Sequence, residues 1–159
     1  MSKDYNPTIA NAINDFLVRD DWHYRFDDQE GIFRFGLNLK GKINNVQYTI
    51  NVNDSGYAVY ATSPIGAQKS DPEMMRKMGE FLHRANYGLR FGNFEMDYND
   101  GEIRYKTYTI CDDIGPTYNM VRRSIHIPAA MFDRYSEGIV AIMFMGADPE
   151  EMVRRCESN

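Results

Sequence analysis

The chain has 159 residues, of which 43% are hydrophobic and 26% charged, a composition that excludes disordered, collagen-like and membrane-spanning classes. Eighteen basic and 23 acidic side chains give a net charge of −5, so nucleic acid is a poor default partner for this acidic protein. No apolar run reaches the roughly 20 residues that a transmembrane helix needs.

The beginning of the chain predicts a helix, and we expect no signal peptide because no apolar stretch follows Lys3. Asn6 suits an N-cap, and Pro7 suits the first helical position, where its missing N–H costs nothing. Apolar residues then recur at helical spacing: Ile9, Ala10, Ile13, Phe16 and Leu17. We therefore predict a helix over about residues 7–19.

Four strands are predicted between residues 22 and 62, because apolar and polar residues alternate there between short turns at 27–31, 40–42 and 53–56. Such alternation is typical of an antiparallel sheet with one buried and one wet face. The fourth strand, 57–62, is apolar on both sides and gives no indication of which side faces the core.

A second helix follows the sheet. Ser70 with Glu73 three residues later forms a capping-box pattern, and Pro72 lies in the first turn. Asn86 and Gly88 suit the helix end.

A hairpin then centres on Asp100-Gly101, a dipeptide typical of two-residue turns. The resulting register pairs Asp97 with Arg104, Glu95 with Lys106, Tyr98 with Ile103, and Met96 with Tyr105. Acid thus meets base on one side and apolar meets apolar on the other. Cysteines at 97 and 104 should accordingly trap as a disulfide better than cysteines at 97 and 105.

Three helices are predicted at the end of the chain: a short one near 118–125, a longer one that starts at Pro128 and stops at Gly146, and a last one capped by Asp148. The order is α-ββββ-α-ββ-ααα in a single domain over 1–159. Segregated strands and helices favour an α+β fold with helices packed on one face of an antiparallel sheet.

Two segments carry a family resemblance: residues 86–105, beginning Asn-Tyr-Gly-Leu-Arg-Phe-Gly-Asn-Phe, and residues 131–151, which include Met-Phe-Asp-Arg-Tyr and Gly-Ala-Asp-Pro-Glu-Glu. Both resemble the YbjN-like domains of bacteria, which are regarded as sensory transduction regulators. That family is similar in fold to the small dimeric chaperones of type III secretion. The resemblance implies this fold and a role in regulation or stress responses, with no catalytic residues to carry over.

The histidines and cysteines predict neither a metal site nor a nucleophile. His23, His83 and His126 do not have the short spacing of zinc ligands, and we interpret them as ordinary, partly exposed side chains. Cys111 precedes Asp112-Asp113, whose carboxylates would keep the thiol protonated, and Cys156 occupies a core position of the last helix. Two free thiols fit a reducing cytoplasm.

The sequence also gives no complete motif for calcium binding, phosphate binding or paired-carboxylate chemistry. Asn51, Asn53, Ser55 and Gly56 match early positions of an EF-hand loop, but Thr62 stands where the bidentate glutamate belongs. Phosphate-binding glycine motifs are missing from the sequence. Asp133 and Glu137 share a helix face, where we expect them to face water. We predict no cofactor, no metal and no enzymatic activity.

Aromatic residues make up 13% of the chain, and tyrosine supplies binding surfaces with large contact area at little entropy cost. We therefore predict a protein-interaction surface at four strand tyrosines: Tyr57, Tyr60, Tyr105 and Tyr108. The other interpretation is that helices cover one face of these strands and a twin subunit covers the other.

The leading hypothesis is a non-catalytic cytoplasmic interaction domain, a homodimer that binds a protein or peptide partner as a chaperone-like or regulatory adaptor. The alternative is a small-molecule sensor with a pocket between the sheet and the C-terminal helices. An enzyme built around Cys111 or His126 would need a base beside one of them.

Overall fold

The computed structural model describes residues 4–112 and 114–158. The helices are α1 (Pro7–Arg19), α2 (Pro72–Asn86), α3 (Tyr118–Met145) and α4 (Pro149–Glu157). The strands are β1 (Arg25–Asp27), β2 (Ile32–Asn38), β3 (Asn45–Val52), β4 (Gly56–Thr62), β5 (Asn93–Met96) and β6 (Ile103–Ile110). Met1 to Lys3, which bear on the expected lack of a leader, and Asp113 beside Cys111 lie outside the described residues.

All neighbouring strands pair antiparallel in one six-stranded sheet of order β1-β2-β3-β4-β6-β5. Helices cover one face, where Phe33, Tyr48, Val59 and Tyr105 are buried. The predicted α+β class is confirmed. Within the described ranges, no helix is both long and apolar enough to cross a bilayer.

Most predicted boundaries agree with the structure, and the differences have local causes. Asn6 caps α1 as predicted, because its side-chain oxygen accepts a hydrogen bond from the amide of Thr8 at 2.9 Å. The capping box at Ser70 is wrong, since Asp71 caps α2 and accepts from the amide of Met74 at 3.0 Å. Pro at the first helical position makes the residue directly before it the cap. The first strand is short and begins at Arg25.

The predicted register of the last hairpin is wrong by two residues. Glu95 lies opposite Arg104, and Met96 lies opposite Ile103. The connection is a longer loop, in which Asp97 and Asp100 each accept a backbone hydrogen bond through a side-chain oxygen. Because a shift of two residues keeps every side chain on its face, the hydrophobic pattern alone could not detect the error. Disulfide trapping should accordingly favour 95 with 104.

The predicted break before Pro128 is also wrong, since α3 runs without interruption from Tyr118 to Met145. Proline has no N–H, so the carbonyl of Ser124, four residues earlier, loses its helical donor. The hydroxyl of Thr107 on β6 donates to this carbonyl at 3.1 Å. The sheet therefore satisfies the group that the proline leaves open, and the chain has two C-terminal helices instead of three.

Candidate interaction surface

The sheet has one face that no helix covers within the described part of the chain, and we call its outward-pointing side chains the open face. These residues alternate along the strands with the buried ones. The open face consists of Arg25, Asp27, Ile32, Arg34, Gly36, Asn38, Asn45, Gln47, Thr49, Asn51, Ala58, Tyr60, Thr62, Asn93, Glu95, Arg104, Lys106, Tyr108 and Ile110.

Two of the four predicted interaction residues, Tyr57 and Tyr105, do not reach this face. Both are fully buried under the helices, so neither can touch a partner. The hydroxyl of Tyr57 lies 3.2 Å from the hydroxyl of Ser124, and that of Tyr105 donates to the carbonyl of Phe91 at 2.7 Å. Burial raises the pKa of Tyr105 to about 12 and raises that of Tyr57 as well. These two tyrosines belong to the core.

Tyr60 lies on the open face, at the centre of a charged cluster. The guanidinium of Arg104 lies 4.3 Å from the centre of the Tyr60 ring. The same guanidinium donates to Glu95 at 2.6 Å, and the ammonium of Lys106 lies 3.7 Å from the other oxygen of that carboxylate. Two cations share one anion here, so the cluster retains a positive charge.

Tyr108 and Ile110 form the apolar end of the open face. Tyr108 is 43% exposed, and its hydroxyl accepts a hydrogen bond from the side-chain Nδ2 of Asn53 at 3.1 Å. Ile110 is 74% exposed, although it lies in a regular strand. An aromatic and a branched aliphatic side chain on an uncovered strand are typical of a contact surface.

The edge of β6 is also free along part of its length. Backbone bonds from Cys111 to Ser55 and from Ser63 to Ile103 show that odd-numbered residues of β6 bond toward β4. Even-numbered residues bond toward β5, whose first residue, Asn93, lies opposite Lys106. The amides and carbonyls of Tyr108 and Ile110 therefore point to a position that no strand of the described residues occupies. We call residues 107–110 the β6 overhang.

The two cysteine thiols lie in buried surroundings. Both cysteines are free and buried. Burial, together with Asp112, raises the pKa of Cys111, and burial raises that of Cys156. A raised pKa reduces the fraction of nucleophilic thiolate at neutral pH.

The histidines do not converge on a site. His126 lies within α3 instead of at a helix junction, with its ring 5.9 Å from that of Trp22, and burial lowers its pKa. Over residues 4–112 and 114–158, no group of three or more His, Cys, Asp or Glu side chains could hold a metal ion. Asn53 uses its side-chain oxygen to hold the amide of Ser55, as a turn residue does.

Asp133 and Glu137 do not face water freely, contrary to the expectation. One oxygen of Asp133 accepts from the amides of Lys40 and Gly41, at 3.0 and 2.8 Å. Glu137 forms an ion pair with Arg155 at 2.7 Å. The carboxylate of Asp133 thus fastens the β2–β3 loop to α3. No signal in the sequence connects residues that lie so far apart along the chain.

A cleft of about 680 Å³ opens where the β2–β3 loop meets α3 and α4. Lys40, Lys42, Asp133, Arg134, Glu137 and Cys156 line it. Some of its polar groups already bond to one another, because the amide of Lys42 donates to the hydroxyl of Ser136 at 3.0 Å. The charged side chains of Lys40, Lys42 and Arg134 also line the cleft.

Comparison with known families identifies the family of this chain. The model of the YbjN family, described as "Putative bacterial sensory transduction regulator", matches residues 10–140, which is most of the chain. The match includes all six strands, α2, and most of α1 and α3, but not the first residues of α1 or the last residues of α3. No curated protein matches the chain.

Proposed function

Because the chain belongs to the YbjN family, we propose that it is a regulatory, non-catalytic domain that acts by binding another protein. The open face and the β6 overhang form the binding surface in this proposal. The role is that of a chaperone-like or regulatory adaptor, and the partner contributes an extended segment.

The β6 overhang is the observation that carries the proposal. With an added strand, the two unpaired amides of Tyr108 and Ile110 would donate two backbone hydrogen bonds and their two carbonyls would accept two more, which is a recurrent mode of peptide recognition. Ile110 supplies an exposed apolar side chain next to this edge. Natural sheets usually protect their edges against pairing with another chain. An unprotected edge therefore favours a binding role.

Site-specific photo-crosslinking tests the proposal. We would replace Ile110 by benzoylphenylalanine and, as a control, Met145, because the two side chains are 74% and 75% exposed. Met145 lies at the end of α3 and not on a strand. After irradiation in the source cells, we expect one recurrent partner crosslinked at position 110 and not at 145. Equal crosslinking at both positions, or none at 110, would contradict the proposal.

The backbone can be tested directly by amide hydrogen exchange in the purified protein. The amides of Tyr108 and Ile110 should exchange faster than those of Thr107 and Thr109, which bond to β4. Partner binding should slow the exchange of Tyr108 and Ile110. Equal protection of all four amides in the free protein would show that the edge is already covered.

A homodimer in the cytoplasm is part of the same proposal. Two buried free cysteines fit a reducing compartment. Sedimentation equilibrium would give the mass, and crosslinking of position 110 to a second copy would show that the overhang serves the dimer instead of another protein.

A sensor of small molecules is the second candidate, and the cleft beside the β2–β3 loop favours it. A metabolite screen by thermal shift would detect such a ligand. Loss of the shift in Asp133→Ala, with the shift retained in Ile110→Ser, would assign binding to the cleft.

A further inference from the structure

A row of residues crosses the open face at right angles to the strands, with basic side chains at both ends. Consecutive Cα partners connect Arg25, Arg34, Thr49, Tyr60 and Lys106 across β1, β2, β3, β4 and β6. At about 4.8 Å per strand, the first and last residues lie about 19 Å apart. We call this line the basic row.

The first end of the basic row places two like charges directly opposite each other. Arg25 and Arg34 are cross-strand partners, and both are exposed. Like charges in such positions destabilise a sheet. Neither arginine forms an ion pair with any other described residue. Asp27, on the same face, uses one oxygen to accept from the amides of Gln29 and Glu30 in the adjoining turn.

The other end of the row also has an excess of positive charge. Lys106 and Arg104 share the single carboxylate of Glu95. Tyr60 lies between the two ends and is already in contact with the Arg104 guanidinium. On the open face, four basic residues therefore face two acidic ones, whereas the whole chain has a net charge of −5.

We propose that the basic row binds an acidic segment of the partner protein, with carboxylates near Arg25 and Arg34 at one end and near Lys106 at the other. This inference rests on the proposed function, because it specifies the chemistry of the partner. The repulsive Arg25–Arg34 pair gains its counter-charge only when the segment is bound.

An acidic peptide fits this surface better than a nucleic acid. A long polyanion is repelled by the net negative charge of the protein. A short peptide mainly feels charges within a Debye length, about 8 Å at physiological salt, and locally those charges are positive.

The test uses fluorescence anisotropy of a labelled peptide of alternating Glu and Ser, with a matched Gln and Ser peptide as control. We expect the Glu peptide to bind more tightly and to lose affinity as salt is added. Arg25→Glu/Arg34→Glu should weaken its binding about tenfold or more, because like charges then face each other across the contact. Arg122→Glu/Arg123→Glu makes the same charge change on exposed residues of α3 and should have little effect.

Three results would overturn the inference: equal binding of the Gln peptide, unchanged binding to the double variant, or tighter binding of an oligothymidylate, which would assign the row to nucleic acid. Arg25→Gln/Arg34→Gln gives a second variant should the charge reversal unfold the protein. A partner that crosslinks at position 110 regardless of Arg25 and Arg34 would overturn this inference alone. Loss of the selective crosslink at 110 would instead overturn the proposed function.

Discussion

The two faces of the sheet use their polar groups differently. On the helix-covered face, the hydroxyls of Tyr48 and Thr107 donate to carbonyls of α3, and the hydroxyl of Tyr57 bonds to Ser124. On the open face, Arg25 and Arg34 form no ion pair with the other described residues. Polar groups on the covered face position a helix of the same chain, whereas these two arginines of the open face are available to a group outside it.

The largest expected difference between the faces comes from deleting one tyrosine on each. Tyr57 is fully buried and Tyr60 lies on the open face of the same strand. Tyr57→Ala should lose about 3–5 kcal/mol of unfolding free energy, as for other large-to-small core changes. Tyr60→Ala should lose less than about 1 kcal/mol, as cross-strand and cation–π contacts do. Urea denaturation measures both, and equal losses would mean that Tyr60 is covered in solution.

A smaller difference is expected between two threonines. Thr107→Val leaves the buried carbonyl of Ser124 without its donor, which should cost about 1–3 kcal/mol. Thr49 lies on the open face, and Thr49→Val should change stability by less than about 0.5 kcal/mol. Urea denaturation of the two variants would compare their losses of unfolding free energy. Threonine and valine have nearly the same shape, so the difference reports on the hydroxyl. A neutral Thr107→Val would contradict the role given to the hydroxyl in tolerating Pro128.

Alkaline pH should act on the covered face. Burial raises the pKa of Tyr105 from 10.0 to about 12, so the native state holds this proton more tightly than the unfolded chain. Stability contributed by the protonated tyrosine is present below pH 10 and is lost as the pH rises toward 12. Tyr105→Phe should flatten the decline of unfolding free energy over this range. An unchanged slope would assign the decline to other groups, such as Tyr57.

The smallest expected effect is a gain in stability from a substitution on the open face. Arg34→Thr removes the like charge opposite Arg25 and introduces a residue with higher strand propensity. We expect stability to rise by about 0.2–1 kcal/mol at low salt, and the gain to shrink as salt is added. Thermal unfolding at two salt concentrations would measure it. A loss of stability would mean that Arg34 already has a partner, and the basic row would lose its rationale.

Local patterns were sufficient to predict much of the fold. Asn6 and Pro7 define the start of α1, and the alternation from residue 33 to 52 defines two strands and the face that each buries. In these elements, neighbouring residues determine both the conformation and the buried side.

Contacts between distant residues account for what the sequence did not reveal. Pro128 predicted a helix start because a proline inside a helix leaves a carbonyl without its donor. The hydroxyl of Thr107, which supplies the missing donor, is distant in sequence and was not predictable from the local pattern. The Asp-Gly dipeptide predicted a two-residue turn in the hairpin. The observed loop is longer, and the side chains of Asp97 and Asp100 hold it through hydrogen bonds to the backbone.

The register error also concealed the uncovered edge of β6. In the predicted register, Asn93 would have lain opposite Tyr108, so the backbone of Tyr108 would have appeared paired. The observed register places Asn93 opposite Lys106. The backbone amide and carbonyl of Tyr108 therefore have no partner strand on that side among the described residues. Of the four tyrosines, Tyr60 and Tyr108 lie where a partner can reach them. Because the strand sequences are apolar on both sides, their pattern could not distinguish these two from the buried Tyr57 and Tyr105.

The strand order has a consequence for synthesis on the ribosome. The position beside β4 is filled by β6, not by the next strand in sequence, so β4 has an unpaired edge until the chain has been made past Ile110. At roughly 5–20 residues per second, this interval lasts a few seconds. During that time, the first four strands present an apolar face and a free edge without α3. The nascent chain is then most exposed to mispairing, and a slowing of translation after β4 would lengthen the period of risk.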